Sequence, residues 1–418
     1  MKRKNLEKAI IMSLLAASVS VPVWADNITQ EGGFYNGNVN IDEGMTNEET
    51  YTINANISGK PITGIGFNGT FDIGDGNLII NAGENGIAAG WMNNATLNIY
   101  AYNVVIDAGK NGIFTSVEDG YAGKVIIGSE NRIIKGLTIT ADGQGIDNKN
   151  GNVVIYGSKD SVIDISSTGT EGYKPVGDEE RDEYLQDDQA AIGNGYSSGT
   201  TGETVIEGGI IKLTADGGSG IINQTEGCST TINAKDKVII KSDNLEKIDG
   251  GYKNISNAGI NNKVGTTTID AVNGISIDSS NNGIYAADGT VTLNGGILNS
   301  VDADRHGIEA TGNNTEVILN AQNNNIYAIS DTGSTKGISV DNGAFLDIDS
   351  TNGYFRIDTN SDNLNESQTS FDGHNFGVFI ENAEADIDVN SSFIINSQGT
   401  GKTFGIYAGT DGKIRKQP

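Results

Sequence analysis

The sequence predicts an all-β protein, a single right-handed parallel β-helix of about twelve three-strand coils. Three observations predict it: a recurring Gly-Ile pair, short segments of alternating polarity between the pairs, and much glycine with little proline. Glycine fills 58 of 418 positions and proline 4, whereas disordered glycine-rich chains usually carry proline as well. Many short strands joined by tight turns account for that balance.

The pair recurs at Gly64-Ile65, Gly86-Ile87, Gly112-Ile113, Gly145-Ile146, Gly220-Ile221, Gly259-Ile260, Gly283-Ile284, Gly307-Ile308, Gly337-Ile338 and Gly405-Ile406. Ala191-Ile192 and Gly377-Val378 fill the same slot in altered form, which makes twelve repeats, the shortest of 22 residues. Self-similarity at such a period marks a stacked repeat architecture.

Each repeat reads as three strands. In one they are 86–90, 95–101 and 103–109; in another, 283–287, 290–295 and 297–301. Apolar residues alternate with Thr, Asn or Asp, the period of a strand with one buried face. One such coil cannot bury its Ile and Val side chains, but stacked coils share a core and pair their backbones. At about 4.8 Å per coil, twelve coils make a rod roughly 55 to 60 Å long. The glycines are expected at corners, where positive φ or close backbone approach excludes a side chain. Asn85, Asn111 and Asn282, each before a Gly-Ile pair, suit the same turns and suggest stacked amides.

At the N-terminus, Met1-Lys2-Arg3-Lys4 precedes an apolar stretch from Ala9 to Val23 that ends at Trp24-Ala25. This order reads as a secretory signal peptide over 1–25, cut between Ala25 and Asp26. Its apolar run is too short to span a bilayer, and no later segment approaches the roughly 20 apolar residues a span needs. Residues 26–52 read as an N-terminal cap and 53–410 as the helix proper. Residues 411–418 read as an aberrant tail left by truncation, because Lys413-Ile414-Arg415-Lys416-Gln417-Pro418 stands where a second strand is due.

The formal charge is −27, and removing the signal, with four basic residues and one acidic, takes it to −30. Such a field repels nucleic acid and anionic lipid. Cys228 is the single cysteine, so no internal disulfide forms even in an oxidising compartment.

Three insertions interrupt the repeat, at 168–189, 244–257 and 361–376, each between a third strand and the next Gly-Ile strand. Stacking places all three along one edge, the first two about 10 Å apart and the last about 20 Å further. Insertions in stacked-repeat proteins map to loops, often on the binding face. Tyr173, Tyr184, Tyr252, Phe371 and His374 lie in them, outside the pattern that buries side chains, and are the candidate binding residues. Asp178, Glu179 and Asp182 belong to an acidic run that a metal ion would find, but neither the EF-hand nor the nonapeptide calcium spacing is present. A solvated acidic loop is the reading, with no metal and no cofactor.

The signal peptide, the Gly-, Asn-, Thr- and Asp-rich tandem coils and the scarcity of cysteine resemble the passenger domains of autotransporters over about residues 26 to 410. That resemblance implies an exported protein at the cell surface, outer membrane or extracellular space. It implies adhesion to a host or bacterial surface protein or glycan and biofilm formation; self-association is expected instead from the long flat faces that adjacent rods can align, and the absence of catalysis from the residues themselves. The family's C-terminal membrane β-barrel has no counterpart before Pro418, so a membrane would be met only through a translocator. A nonfunctional autotransporter fragment is a further reading.

The main rival is a polysaccharide lyase or glycoside hydrolase on the same scaffold, which requires paired carboxylates or a basic residue with calcium. Asp164, Asp270, Asp278, Asp347, Asp349, Asp358, Asp386 and Asp388 instead fall at outward strand positions. His306 fills a turn slot, and Cys228 has no nearby histidine.

Overall fold

A computed structural model describes residues 19–20, 27–57, 60–90, 94–115, 122–168, 189–195, 200–243, 257–330, 334–350, 352–361, 374–399 and 402–415. Among them every regular element is a β-strand. The strands run parallel except for a small antiparallel contact between Asn56-Ile57 and Lys60-Pro61 and an isolated bridge at Ser129 and Arg132.

Each strand pairs with the matching strand of the next repeat, which produces three long ladders. In the first, Ile65 pairs with Ile87, then Ile113, Ile146, Ile192, Ile221, Ile260, Ile284, Ile308, Ile338, Val378 and Ile406. In the third, Ile80 is followed in register by Ile106, Ile139, Ile165, Leu213, Ile240, Ile277, Val301, Ile326, Ile357 and Ile395. The second ladder carries Leu97, Val125, Val153, Thr204, Thr230, Thr267, Val291, Val317 and Leu346 in one column. These columns meet in one apolar core. Burying an Ile or Val side chain is worth about 1.5–3 kcal/mol, and the repetition makes every rung depend on its neighbours.

The expected inward isoleucines are buried from Ile65 through Ile338, but Ile406 is 47% exposed. Among the described residues no strand stacks beyond Lys402–Ala408, so Ile406 is covered from one side only. At the other end the ladders begin earlier than the cap reading expects, with Ile28–Glu31 paired to Tyr51–Asn54 and Phe34 to Ile65. There Phe34 and Tyr51 pack edge-on against Phe71, at 5.8 and 5.3 Å between ring centres. Burial pushes the Tyr51 hydroxyl up to about 12, and it donates to Gln30 Oε1 at 2.9 Å. The tail also joins the ladders, because Lys413–Arg415 pairs with Glu384–Asp386 as a second strand. Arg415 forms an ion pair with Glu384 at 2.8 Å.

Close approach, and not positive φ, explains the Gly-Ile glycines other than Gly405, where an added methyl group would meet nothing within 4 Å. A methyl group on Gly86 would run into Ile106 Cγ2 and lie 2.7 Å from the Gly112 carbonyl oxygen. The same collision recurs at Gly64, Gly112, Gly145, Gly220 and Gly259, each against an isoleucine Cγ2 of the third ladder. Ala191 is the exception that fits the rule. By register its rung holds Leu213 where the rungs on either side hold Ile165 and Ile240. Leucine has no branch at Cβ, so the space filled by Cγ2 elsewhere is open to the Ala191 methyl.

Asn85, Asn111 and Asn282 are buried, but the amide ladder lies elsewhere. Asn111 donates to Asp147 and Asn282 to Glu309. The continuous ladder runs through Asn148, Asn194, Asn223 and Asn262, with Nδ2 to Oδ1 distances of 3.2, 3.0 and 3.0 Å. Thr204, Thr230 and Thr267 of the second ladder bond to it from the side.

Candidate functional site

The described strands bring the feet of all three insertions to one edge. The chain leaves the third ladder after Ser167, Asp243 and Ser361 and rejoins the first at Ala190, Ala258 and His374. Ser167 stands two rungs below Ser242, through Ala215. Ser242 stands four rungs below Thr359, through Ser279, Ala303 and Ala328. At about 4.8 Å per rung these separations are about 10 and 19 Å.

Tyr173, Tyr184, Tyr252 and Phe371 lie outside the described residues, as do Asp178, Glu179, Asp182, Ala25 and Asp26. His374 is described, and it corrects the expectation of an exposed loop residue. It opens the strand His374–Glu381, is only 9% exposed, and packs edge-on against Phe376 and Phe404 at 6.4 and 5.9 Å. The insertion returns to the ladder before the Gly377-Val378 pair, which draws His374 into the packed foot.

Around that foot is an aromatic cluster that sequence reasoning missed. Phe376 stacks on Phe404 at 5.0 Å, and Phe379 on Tyr407 at 5.2 Å. The Lys336 ammonium sits 4.3 Å from the Phe379 ring centre, a geometry that favours cation–π attraction. Phe404 and Tyr407 remain partly exposed. The signal was present in Gly377-Val378-Phe379 and Gly405-Ile406-Tyr407, where the residue after the inward position is aromatic in successive repeats.

The other chemical candidates do not assemble. His306 is buried, and its Nδ1 accepts the Lys336 backbone N–H at 3.2 Å. Burial, with Arg305 and Lys336 nearby, lowers its pKa to about 3, so it stays neutral and structural. Cys228 is buried in its turn, 2.9 Å from Thr225 Oγ1. Among the described residues no group of three or more His, Cys, Asp or Glu side chains could hold a metal ion. No described helix is long and apolar enough to cross a membrane.

The outward aspartates stack in columns. Asp347 pairs in register with Asp386, and Asp349 with Asp388. Partial burial raises the Asp347 carboxyl above its ordinary range, and Asp386, Asp349, Glu316 and Asp388 add to the rise. A carboxyl raised in the folded state is charged there at a cost, so folding gains as pH falls through the raised value toward the unfolded one. Asp347→Asn should therefore raise the unfolding temperature at pH 7 by about 1 °C, a figure discounted for partial exposure. The gain should vanish near pH 3. Melting curves at the two pH values check this, and a drop at pH 7 would show that Asp347 stabilises the column.

Comparison of the chain with protein-family models, curated proteins and solved structures found no match.

Proposed function

We propose that the chain winds as a single right-handed parallel β-helix, is exported behind a cleaved signal peptide, and acts at the cell surface as an adhesin of the autotransporter-passenger type. The observation that carries this reading is the gathering of all three insertion feet on one edge of a regular stack. A rigid array that confines its insertions to one line, two of them carrying tyrosine, presents recognition segments at fixed separations. The partner is a surface protein or glycan that is neutral or basic, because the acidic run 178–188 and the overall charge oppose an acidic one.

Replacing 169–188 and 244–256 with short glycine turns tests the reading. The strands that flank each insertion pair with their neighbours independently of it, so the shortened chain should keep its far-UV circular dichroism. Binding of the chain to cultured host cells and to bacteria should fall at least tenfold. Undiminished binding by a folded, shortened chain would overturn the assignment to this edge.

A further inference from the structure

A second candidate surface lies on a different corner, where the second ladder turns into the third. A groove of about 710 Å³ runs there, lined by Asn233, Asp270, Asn294, Asn320, Asp349 and Gly296 among others. The five polar residues are in register, one per rung, and so extend about 19 Å at the strand spacing of about 4.8 Å. Asn294 Nδ2 donates to Asp270 Oδ1 at 2.6 Å, and Asn320 Nδ2 donates to Asn294 Oδ1 at 2.9 Å. Each carboxamide has two N–H donors and two lone pairs, so every such rung keeps a donor and an acceptor beyond its ladder bonds.

A bulge opens the middle of the groove. The register slips between Asn294 and Gly296, which places Gly295 as an extra residue on that rung. Gly296 has φ +57°, and a methyl group there would run into the Val272 carbonyl oxygen. Beside Asn294, the central rung therefore carries no side chain at Gly295 or Gly296. Bulges and strand glycines of this kind occur where the chain bends or a backbone comes close, and here the close neighbour is the Val272 carbonyl of the adjoining rung. Beside the bulge, Val272 is 58% exposed and lines the same groove.

We propose that this groove binds an extended, neutral, β-linked oligosaccharide lying along the stack, with its hydroxyl or acetamido groups on the amide ladder and a sugar face against Val272. The linear repeat of combined donors and acceptors matches a polymer that offers both at every unit. An added peptide strand is disfavoured, because the backbone groups at these positions are already engaged between rungs. Acidic glycans are disfavoured as well. Among the described residues Lys235 is the one cationic side chain lining the groove, against Asp270 and Asp349, in a chain of formal charge −27.

Chitohexaose titrated into the full chain and followed by calorimetry tests the proposal, which is independent of the insertion edge. Saturable binding is expected, weakened at least tenfold by Asn294→Ala, Asn320→Ala or Val272→Asp and unchanged by removal of the insertions. Because the asparagine variants also disturb the ladder, hydrogen exchange on the unmodified chain gives a second reading, with slowed exchange expected at 294–298 and 320–323. Four results would each overturn the groove: no binding of chitohexaose, equal binding by Val272→Asp, tighter binding of a heparin hexasaccharide, or loss of binding with the insertions alone. Adhesion to cells can fail or persist separately from any of these.

Discussion

Gly259→Ala should lower the stability of the stack by about 3 kcal/mol, the upper end of what overpacking a core costs. The new methyl group would overlap Ile277 Cγ2 and lie 2.8 Å from the Gly283 carbonyl oxygen. Both are held by rungs above and below, so neither can withdraw without straining a neighbour. Ile277→Leu removes the branch at Cβ and alone should cost less than about 1.5 kcal/mol, as a volume-conserving change. Combined, the two substitutions should recover about 1 kcal/mol or more relative to their sum, because Ala191 beside Leu213 already shows that pairing in the wild type. The reciprocal cycle is available there. Leu213→Ile should destabilise the chain and Ala191→Gly should relieve it. Denaturant midpoints of the four single and two double variants measure the coupling. Strict additivity in both cycles would show that the glycines answer to the backbone alone.

The Gly-Ile repeat was legible because it reports two constraints at once, an inward side chain and a neighbour that leaves no room for Cβ. Those constraints recur on every rung from Gly64 to Gly377 except that of Ala191, so the register of the first ladder could be read from spacing alone. The amide ladder was hidden for a different reason. Asn148, Asn194, Asn223 and Asn262 each follow the inward Ile by two, a Gly-Ile-x-Asn pattern with Ala191 in the glycine slot of the second. Asparagine at a strand end reads equally well as a solvated turn, and only the threonines brought alongside by the second ladder show that it is buried. The insertions were legible as departures from period, but what their side chains touch depends on no repeat. His374 illustrates the limit, since a count of residues assigned it to a loop while the aromatic rings of Phe376 and Phe404 draw it into the foot. The groove at Gly296 was hidden because Gly295-Gly296 reads as an ordinary turn between two strands, while the one-residue slip is set by pairing with the next rung.

Breaking the amide ladder at Asn223 should give the other large effect, one that depends on pH. Asn223 is fully buried; its Nδ2 lies 3.0 Å from Asn262 Oδ1, 3.2 Å from the Thr266 carbonyl oxygen and 2.8 Å from Thr267 Oγ1. Its Oδ1 accepts from Asn194 Nδ2 at 3.0 Å and from Thr230 Oγ1 at 3.2 Å. Asn223→Ala removes both roles and leaves a small cavity, so a loss of about 3 kcal/mol is expected from unpaired neighbours and lost packing. Asn223→Asp keeps the shape but replaces the donor with an acceptor, which then faces the oxygens of Asn262 and Thr266. A buried carboxylate among acceptors costs more than a missing side chain, so at pH 7 the aspartate variant should be the less stable of the two. Its folded-state pKa must then lie above that of the unfolded chain. The folded state binds the proton more tightly, and stability should rise as pH falls through that raised value, levelling only below about 3.9. A protonated carboxyl restores one O–H donor toward Asn262 Oδ1. Urea midpoints of the wild type, Asn223→Ala and Asn223→Asp between pH 4 and pH 8 measure this, with the aspartate variant gaining on the alanine variant as acid is added. A constant gap between the two across that range would mean that the column is hydrated, and that the amide ladder is not the dry spine inferred from its geometry.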